Sequence, residues 1–185
     1  LSIALFWFVA AYTPGPNNVV ASYSGFNFGI TKTIPHILGV TLGFTSLVIF
    51  LTVGLINVFK LFPIIQVTIK YLGTFFLIYL AYKIASSTNS DKVQKENPVR
   101  FIETFLFQYL NPKGVMVAII VVSTYVELGE NYLNYATQVV VLAFLFSSTS
   151  ITLWTFIGKF LRKFATNDKF IKHFNYAMSG LLLLS

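Results

Sequence analysis

The chain has 185 residues, of which 56% are hydrophobic and 10% are charged, and its formal net charge is +7 at pH 7. Soluble domains carry roughly one quarter charged residues, so this composition indicates a polytopic membrane protein. The complete lack of cysteine excludes disulfides, haem attachment and thiolate metal sites. Basic loops beside anionic lipid explain the positive charge, and no nucleic-acid partner is needed.

Six apolar spans follow one another along the chain, and a helix needs ~20 residues to cross a bilayer. Three spans exceed that length without any Asp, Glu, Lys or Arg: residues 1 to 31, 33 to 59 and 131 to 158. The other three are residues 61 to 82, interrupted by Lys70, residues 104 to 126, interrupted by Lys113, and a run from Phe174. The first span lacks a basic n-region and is too long for an h-region, so it is not a cleavable signal. Because the chain starts at Leu1 and ends within an apolar run, we expect both termini to be trimmed.

A hydrophilic stretch at residues 86 to 103 is the expected cytoplasmic connector between two half-repeats, residues 1 to 85 and 104 to 185. Because each half has an odd number of spans, the second half runs inverted relative to the first. The sequence therefore predicts a single all-α integral membrane domain over the whole chain. Its six transmembrane helices are predicted to form two inverted three-helix repeats.

Proline interrupts two of these spans, at TPGPNN (residues 13 to 18) in the first and at NPKG (residues 111 to 114) in the fourth. A proline inside a helix removes one backbone donor and displaces the carbonyl four residues earlier. In lipid, such a break persists only where the freed groups face protein or a polar cavity. The two breaks occupy matching places in the two halves, a pattern that marks a substrate site near the middle of the membrane. The first and fourth transmembrane helices are therefore predicted to be broken at proline around such a site.

A broken helix offers carbonyl oxygens at the end of one half and free N–H groups at the start of the next. An amino acid presents the complement of both, because its ammonium suits the carbonyls and its carboxylate suits the N–H groups and a nearby cation. We expect the freed carbonyls near Ala10, Tyr12 and Gln108. The candidate substrate-binding residues are Pro14, Gly15, Pro16, Asn17, Asn18, Asn111, Pro112, Lys113 and Lys70. A structural kink sealed by neighbouring helices is the alternative explanation of the breaks.

Two lysines, Lys113 and Lys70, are the only charges that fall within the predicted spans, and ionisable residues at that depth are functional candidates. Lys113 is the stronger candidate because it adjoins Pro112 near the middle of its span, whereas Lys70 can snorkel to the outer surface. All six carboxylates fall in loops or near helix ends, so neither lysine has an evident acidic partner. A lysine without a counterion can exchange a proton, which makes proton coupling an expectation.

The basic residues predict the orientation, because Lys and Arg accumulate in cytoplasmic loops. The loops after spans one, three and five hold ten of them, whereas the opposite loops hold only Lys60. The ten are Lys32, Lys83, Lys92, Lys95, Arg100, Lys159, Arg162, Lys163, Lys169 and Lys172. Both termini are therefore expected on the non-cytoplasmic side.

Other residues point to packing instead of chemistry. His36 and His173 lie next to predicted cytoplasmic helix ends, so we expect interfacial or capping roles for them. The GxxxG pairs at residues 25 to 29 and 39 to 43 are expected to allow close helix packing. No Ser-His-Asp set, HExxH motif or Walker sequence is present, so neither an enzyme nor a resident cofactor or metal is expected.

Four segments together resemble the lysine exporter (LysE/RhtB) family of amino-acid efflux proteins: TPGPNN, GFNFGITKTIPHILGVTLGF, KYLGTFFLIYLAYKIA and FQYLNPKG. The combination of PGPN with NPK is specific, and the sequence looks most like the branch that exports cysteine and O-acetylserine. The resemblance implies a bacterial inner-membrane secondary exporter driven by proton exchange. It gives family motif roles to Pro14, Gly15, Pro16, Asn17, Asn111, Pro112 and Lys113. Many relatives have aspartate where this chain has Asn17, so neither a proton-coupling carboxylate there nor strongly cationic substrates are expected.

We therefore expect a six-helix transporter in the lipid bilayer that exports a small neutral or polar amino acid, with a homo-oligomer as one arrangement. A membrane scaffold or assembly subunit without transport is the first alternative. A polar, ligand-sized space beside Asn17 and Lys113 would favour transport, and dry interdigitated side chains would favour the scaffold. An inorganic ion exporter is a weaker alternative, because the spans lack the Asp, His or Cys clusters that cations need.

Overall fold

The structure is a computed structural model that describes residues 3 to 55, 61, 63 to 86, 99 to 127, 129 to 165 and 168 to 184. Within these residues it is helical and contains no strand, as expected for an all-α protein. The helices are α1 Ile3–Tyr12, α2 Pro16–Phe50, α3 Pro63–Ser86, α4 Phe101–Leu110, α5 Pro112–Tyr125, α6 Tyr132–Arg162 and α7 Asp168–Leu183. A π-helical turn at Leu51–Leu55 extends α2. Most of the predicted connector lies outside the described residues.

Helix α2 is a hairpin, because the chain reverses direction at Gly29, where φ is 78°. In a straight helix Asn17 and His36 would lie roughly 28 Å apart, yet His36 Nε2 lies 3.4 Å from the Asn17 carbonyl. Near the turn, the hydroxyls of Ser24 and Thr33 are 2.9 Å apart. Glycine adopts the positive φ that this reversal needs at little cost. We call residues 16 to 28 the first arm and residues 30 to 50 the second arm.

The first arm packs directly against α6 through two glycines. A Cβ added to Gly25 would overlap the Thr155 carbonyl, and one added to Gly158 would overlap the Ser22 carbonyl. The two backbones therefore touch without side chains between them. The prediction that Gly29 serves helix packing is wrong, because nothing lies within 4 Å of a Cβ built there. Its role is to turn the chain.

The second arm packs against α4 in the same way, as predicted for its glycine pair. A Cβ added to Gly39 would lie 2.7 Å from the Phe101 carbonyl, and one added to Gly43 would lie 2.6 Å from the Phe105 carbonyl. Larger residues would separate these helices. The two glycines therefore fix α4, and the break at its end, beside the second arm.

Apolar side chains fill the space between α1, the second arm, α5 and α6, while many others face outwards. The buried cluster comprises Trp7, Phe44, Leu47, Val48, Leu51, Val115, Ala118, Val121, Val122, Val139 and Ala143. Large apolar residues such as Phe75, Tyr82 and Leu133 are exposed. An apolar exterior of this extent marks a surface that faces lipid.

Among the described residues, two helical segments are long and apolar enough to cross a membrane. They are Pro16–Gly54, which includes both arms of α2, and Tyr132–Arg162. A third is added if Phe101–Leu110 and Pro112–Tyr125, bent by 60° at their junction, form one span. The prediction of an all-α protein with membrane-spanning helices is thus confirmed. Lys70 lies in α3, but its side chain is outside the described part of the chain.

Candidate functional site

The two proline breaks lie next to each other in the structure. Helix α1 ends at Tyr12 and α2 begins at Pro16, while α4 ends at Leu110 and α5 begins at Pro112. Because proline has no N–H, each new helix starts without one of the donors that would continue the preceding helix. These are the places where the sequence analysis located its substrate site.

Lys113 joins the two breaks. Its Nζ donates to the Thr13 carbonyl at 2.8 Å and to the Pro14 carbonyl at 3.2 Å. Gly15 makes room for it, because an added Cβ would lie 2.8 Å from Lys113 Cδ. An ammonium has three N–H donors, so one remains for a further acceptor. Lys113 therefore has backbone partners in place of the acidic partner that the sequence lacks.

Asn17 and Gln108 form a reciprocal hydrogen-bonded pair, which we call the amide clasp. Asn17 Nδ2 donates to Gln108 Oε1 at 2.7 Å, and Gln108 Nε2 donates to Asn17 Oδ1 at 3.1 Å. Gln108 is fully buried and its Nε2 also donates to the Thr104 carbonyl at 2.9 Å. The clasp ties the first arm to α4, and therefore links residues from the two halves of the chain.

His36 is buried beside the clasp, so the prediction of an interfacial or capping role is wrong for this residue. Its Nδ1 lies 3.2 Å from Thr104 Oγ1, and its Nε2 faces the Asn17 carbonyl. The reason is the position of the turn at Gly29, which places His36 about two helical turns inside the second arm. His173 is exposed, and its Nδ1 donates to the Lys169 carbonyl at 2.6 Å.

Asn18 and Ser150 satisfy carbonyls at the end of α1. Asn18 Nδ2 donates to the Ala11 carbonyl at 2.8 Å and to the Thr13 carbonyl at 3.0 Å. Ser150 Oγ, from α6, donates to the Ala11 carbonyl at 2.7 Å. Side chains of the protein thus take up several of the carbonyls beside the break, which explains how it is tolerated in an apolar setting.

A cavity of ≈ 70 Å³ lies between the breaks. It is lined by Trp7, Ala10, Ala11, Gly15, Pro16, Asn17, Asn18, Val40, Phe44, Asn111, Lys113, Gly114, Val117, Ser147, Ser150 and Ile151. Among the candidates from the sequence, Pro14 and Pro112 do not line it. Of the carbonyl-bearing residues expected there, Ala10 lines it, whereas Tyr12 and Gln108 do not.

Among the described residues, the cavity lining contains one formally charged side chain, Lys113, and no Asp, Glu or His. Two buried side-chain atoms of lining residues have no hydrogen-bond partner among the described residues, Trp7 Nε1 and Asn111 Oδ1. Leaving such a group unpaired costs roughly 1–3 kcal/mol. The same part of the chain contains no group of three or more His, Cys, Asp or Glu residues able to hold a metal ion.

Sequence reasoning missed the contributions of Trp7, Phe44, Ser147 and Ser150 to the lining. Trp7 stands among aromatic residues typical of any membrane helix, so nothing in its neighbourhood singled it out. The fifth predicted span carries a stripe of hydroxyls at helical spacing, Ser148, Thr152 and Thr155, but the two serines that line the cavity are not among them.

The family model for LysE type translocators matches residues 8–185 of the chain. The chain belongs to the LysE family. The expected resemblance is therefore confirmed, and the protein is a transporter and not an enzyme.

Relatives of this LysE family member have been named for what they export. A "Cysteine/O-acetylserine efflux protein" of Salmonella typhimurium (strain LT2) is 28% identical over 164 residues, covering 87% of this chain and 84% of the relative. A protein of the same name from Escherichia coli (strain K12) is 26% identical over 165 residues, with the same coverage of each chain. No solved structure matches the chain.

Proposed function

We propose that this protein exports small amino acids or their derivatives from the cytoplasm across the bacterial inner membrane, as a proton-coupled secondary active transporter. The observation that carries the proposal is the cavity between the two proline breaks, with Lys113 at its wall. The names of the efflux relatives support the same substrate class. In this proposal six helices form two inverted three-helix repeats, the first and fourth helices are broken at proline, and both termini are non-cytoplasmic.

The size of the cavity supports a small substrate. One water molecule occupies roughly 10–15 Å³ of such a space, so the cavity of ≈ 70 Å³ accommodates about five to seven water-sized groups. An amino acid of the size of serine or cysteine fits that space.

The charge of the cavity supports a substrate with a carboxylate. Lys113 uses two of its three donors on backbone carbonyls and keeps one for a ligand. Among the described residues that line the cavity, none carries a negative charge to balance a second cation. A zwitterionic amino acid therefore suits the site, whereas a strongly cationic one does not. Of the same lining residues, Lys113 alone has an ionisable side chain, so a coupled proton would be carried there.

The scaffold alternative requires dry, interdigitated side chains at the breaks. Instead, amide, hydroxyl and ammonium groups lie beside apolar side chains around a ligand-sized space there, which supports transport. An inorganic cation is disfavoured because the described lining residues include no carboxylate or imidazole group.

The test is counterflow into proteoliposomes loaded with cysteine, serine, O-acetylserine or lysine. We expect exchange of the first three and none of lysine. Lys113→Met removes the charge while keeping the length of the side chain and should abolish exchange, and Lys113→Arg should restore little, because a guanidinium presents its donors differently. The matched control is Lys159→Met, an exposed lysine near the end of α6. A folded wild-type protein that exchanges no amino acid would refute the proposed function.

A further inference from the structure

Two residues that line the cavity, Trp7 and Asn111, each carry a buried polar atom that complements one charged end of an amino acid. Trp7 and Asn111 are 1% and 2% exposed, and in the described part of the chain neither Trp7 Nε1 nor Asn111 Oδ1 has a partner. The first atom is a donor and the second an acceptor. Thr41 Oγ1 and Asn27 Oδ1 are also buried without a partner among the described residues, but neither Thr41 nor Asn27 lines the cavity. The coincidence with the cavity distinguishes the first two.

We propose that Trp7 Nε1–H donates to the substrate carboxylate and that Asn111 Oδ1 accepts from the substrate ammonium. This inference rests on the proposed function and adds the groups that recognise the two ends of the substrate. The assignment follows from chemistry, because an indole N–H only donates and an amide oxygen only accepts. The free donor of Lys113 is the second partner of the carboxylate.

The packing of Trp7 shows that the indole N–H is not required for the fold. The ring makes an edge contact with Phe44, with centroids 5.8 Å apart at 89°, and lies in the buried apolar cluster. A phenylalanine ring makes the same kind of contact. The indole N–H therefore adds nothing to this packing, which leaves it available to a ligand in the cavity.

The two atoms together make the site selective for molecules that carry both a carboxylate and an ammonium. A simple amine leaves Trp7 Nε1 unpaired, and a simple acid leaves Asn111 Oδ1 unpaired, so each loses a charge-assisted hydrogen bond. Several other lining residues, among them Val40, Phe44 and Ile151, are apolar. They accommodate a side chain without demanding further polar groups of it.

The test measures binding to purified, reconstituted protein by titration calorimetry with three probes. These are L-cysteine, cysteamine, which lacks the carboxylate, and 3-mercaptopropionate, which lacks the ammonium. We expect the wild type to bind cysteine at least about tenfold more tightly than either analogue. Equal affinity for cysteine and both analogues in the wild type would overturn the inference without any variant.

The variants assign the two ends separately. Trp7→Phe should weaken cysteine binding about tenfold and leave cysteamine binding unchanged, so the preference over cysteamine falls about tenfold while the contribution of Lys113 remains. Asn111→Leu should abolish the preference over 3-mercaptopropionate. Trp154→Phe is the control, because Trp154 is only partly buried and does not line the cavity, and it should change neither ratio.

These measurements distinguish a failure of the proposed function from a failure of either residue assignment. A wild-type protein that neither binds nor exchanges any amino acid refutes the proposed function. A wild type that binds and exchanges cysteine, together with a Trp7→Phe variant whose preference for cysteine over cysteamine equals that of the wild type, refutes only the assignment of Trp7. The corresponding result for Asn111→Leu refutes the assignment of Asn111.

Discussion

Breaking the amide clasp should reveal how strongly the two halves of the chain are coupled. The perturbation is a double-mutant cycle with Asn17→Leu and Gln108→Met, each of which keeps the size of the side chain and removes its amide. Either single variant removes both bonds, of 2.7 and 3.1 Å, and leaves the other amide without its partner. The double variant leaves no orphaned partner, so it should cost less than the sum of the two.

The expected coupling can be worked from the geometry. Interhelical hydrogen bonds within membranes give coupling energies of about 0.6 kcal/mol on average and about 1.7 kcal/mol at most. The clasp has two reciprocal bonds, and Gln108 is fully buried. We therefore expect about 1–2 kcal/mol of coupling between Asn17 and Gln108.

The assay is equilibrium unfolding of the purified protein in mixed micelles, followed by helical circular dichroism. The chain offers a control cycle with the same residue types, because Gln138 Nε2 donates to Asn134 Oδ1 at 3.2 Å on the exposed surface of α6. Asn134→Leu with Gln138→Met should show only about 0.2–0.5 kcal/mol. Additive effects at the clasp, within about 0.3 kcal/mol, would refute its role as a tie between halves.

Three further predictions concern other parts of the chain. Replacing both Pro14 and Pro16 by alanine should let α1 continue into the first arm, leaving an inserted protein without export, and undiminished counterflow would contradict the substrate site. Gly158→Ala should lower the free energy of unfolding by about 1–3 kcal/mol because its Cβ would overlap a backbone carbonyl, whereas Gly180→Ala, with open space around it, should be neutral or slightly stabilising. A cysteine introduced within residues 88 to 97 should react with an impermeant reagent only from the cytoplasmic side, and labelling in intact cells would refute the predicted orientation.

The sequence predicts the local features of this structure, because composition and proline affect the backbone within a single segment of the chain. Charge depletion over long runs predicted membrane helices, and helix ends fall at Tyr12 and Leu110, next to the prolines of the two motifs. Family membership followed from the same motifs. These inferences need no knowledge of which helices are neighbours.

The errors arose where a pattern has two physical uses. Gly29 is one of a GxxxG pair, yet a glycine four residues from another serves close packing and chain reversal equally well. The prediction placed the loop at Lys32, and this small shift made His36 a helix-end residue in the prediction and a buried one in the structure. The side chain of Gln108 was missed because its partner Asn17 is remote in sequence and lies on a different helix.

The paired contacts of Gly25 and Gly158 have a consequence for motion. Side chains that interdigitate can change rotamer and let two helices slide, but here the carbonyls of Thr155 and Ser22 occupy the space where a Cβ would be. At these two contacts neither helix has a flexible side chain with which to adapt to a new register. The first arm and α6 must therefore move together as one rigid unit. Any rearrangement that opens the cavity to the other side of the membrane must take place along the remaining faces of that unit.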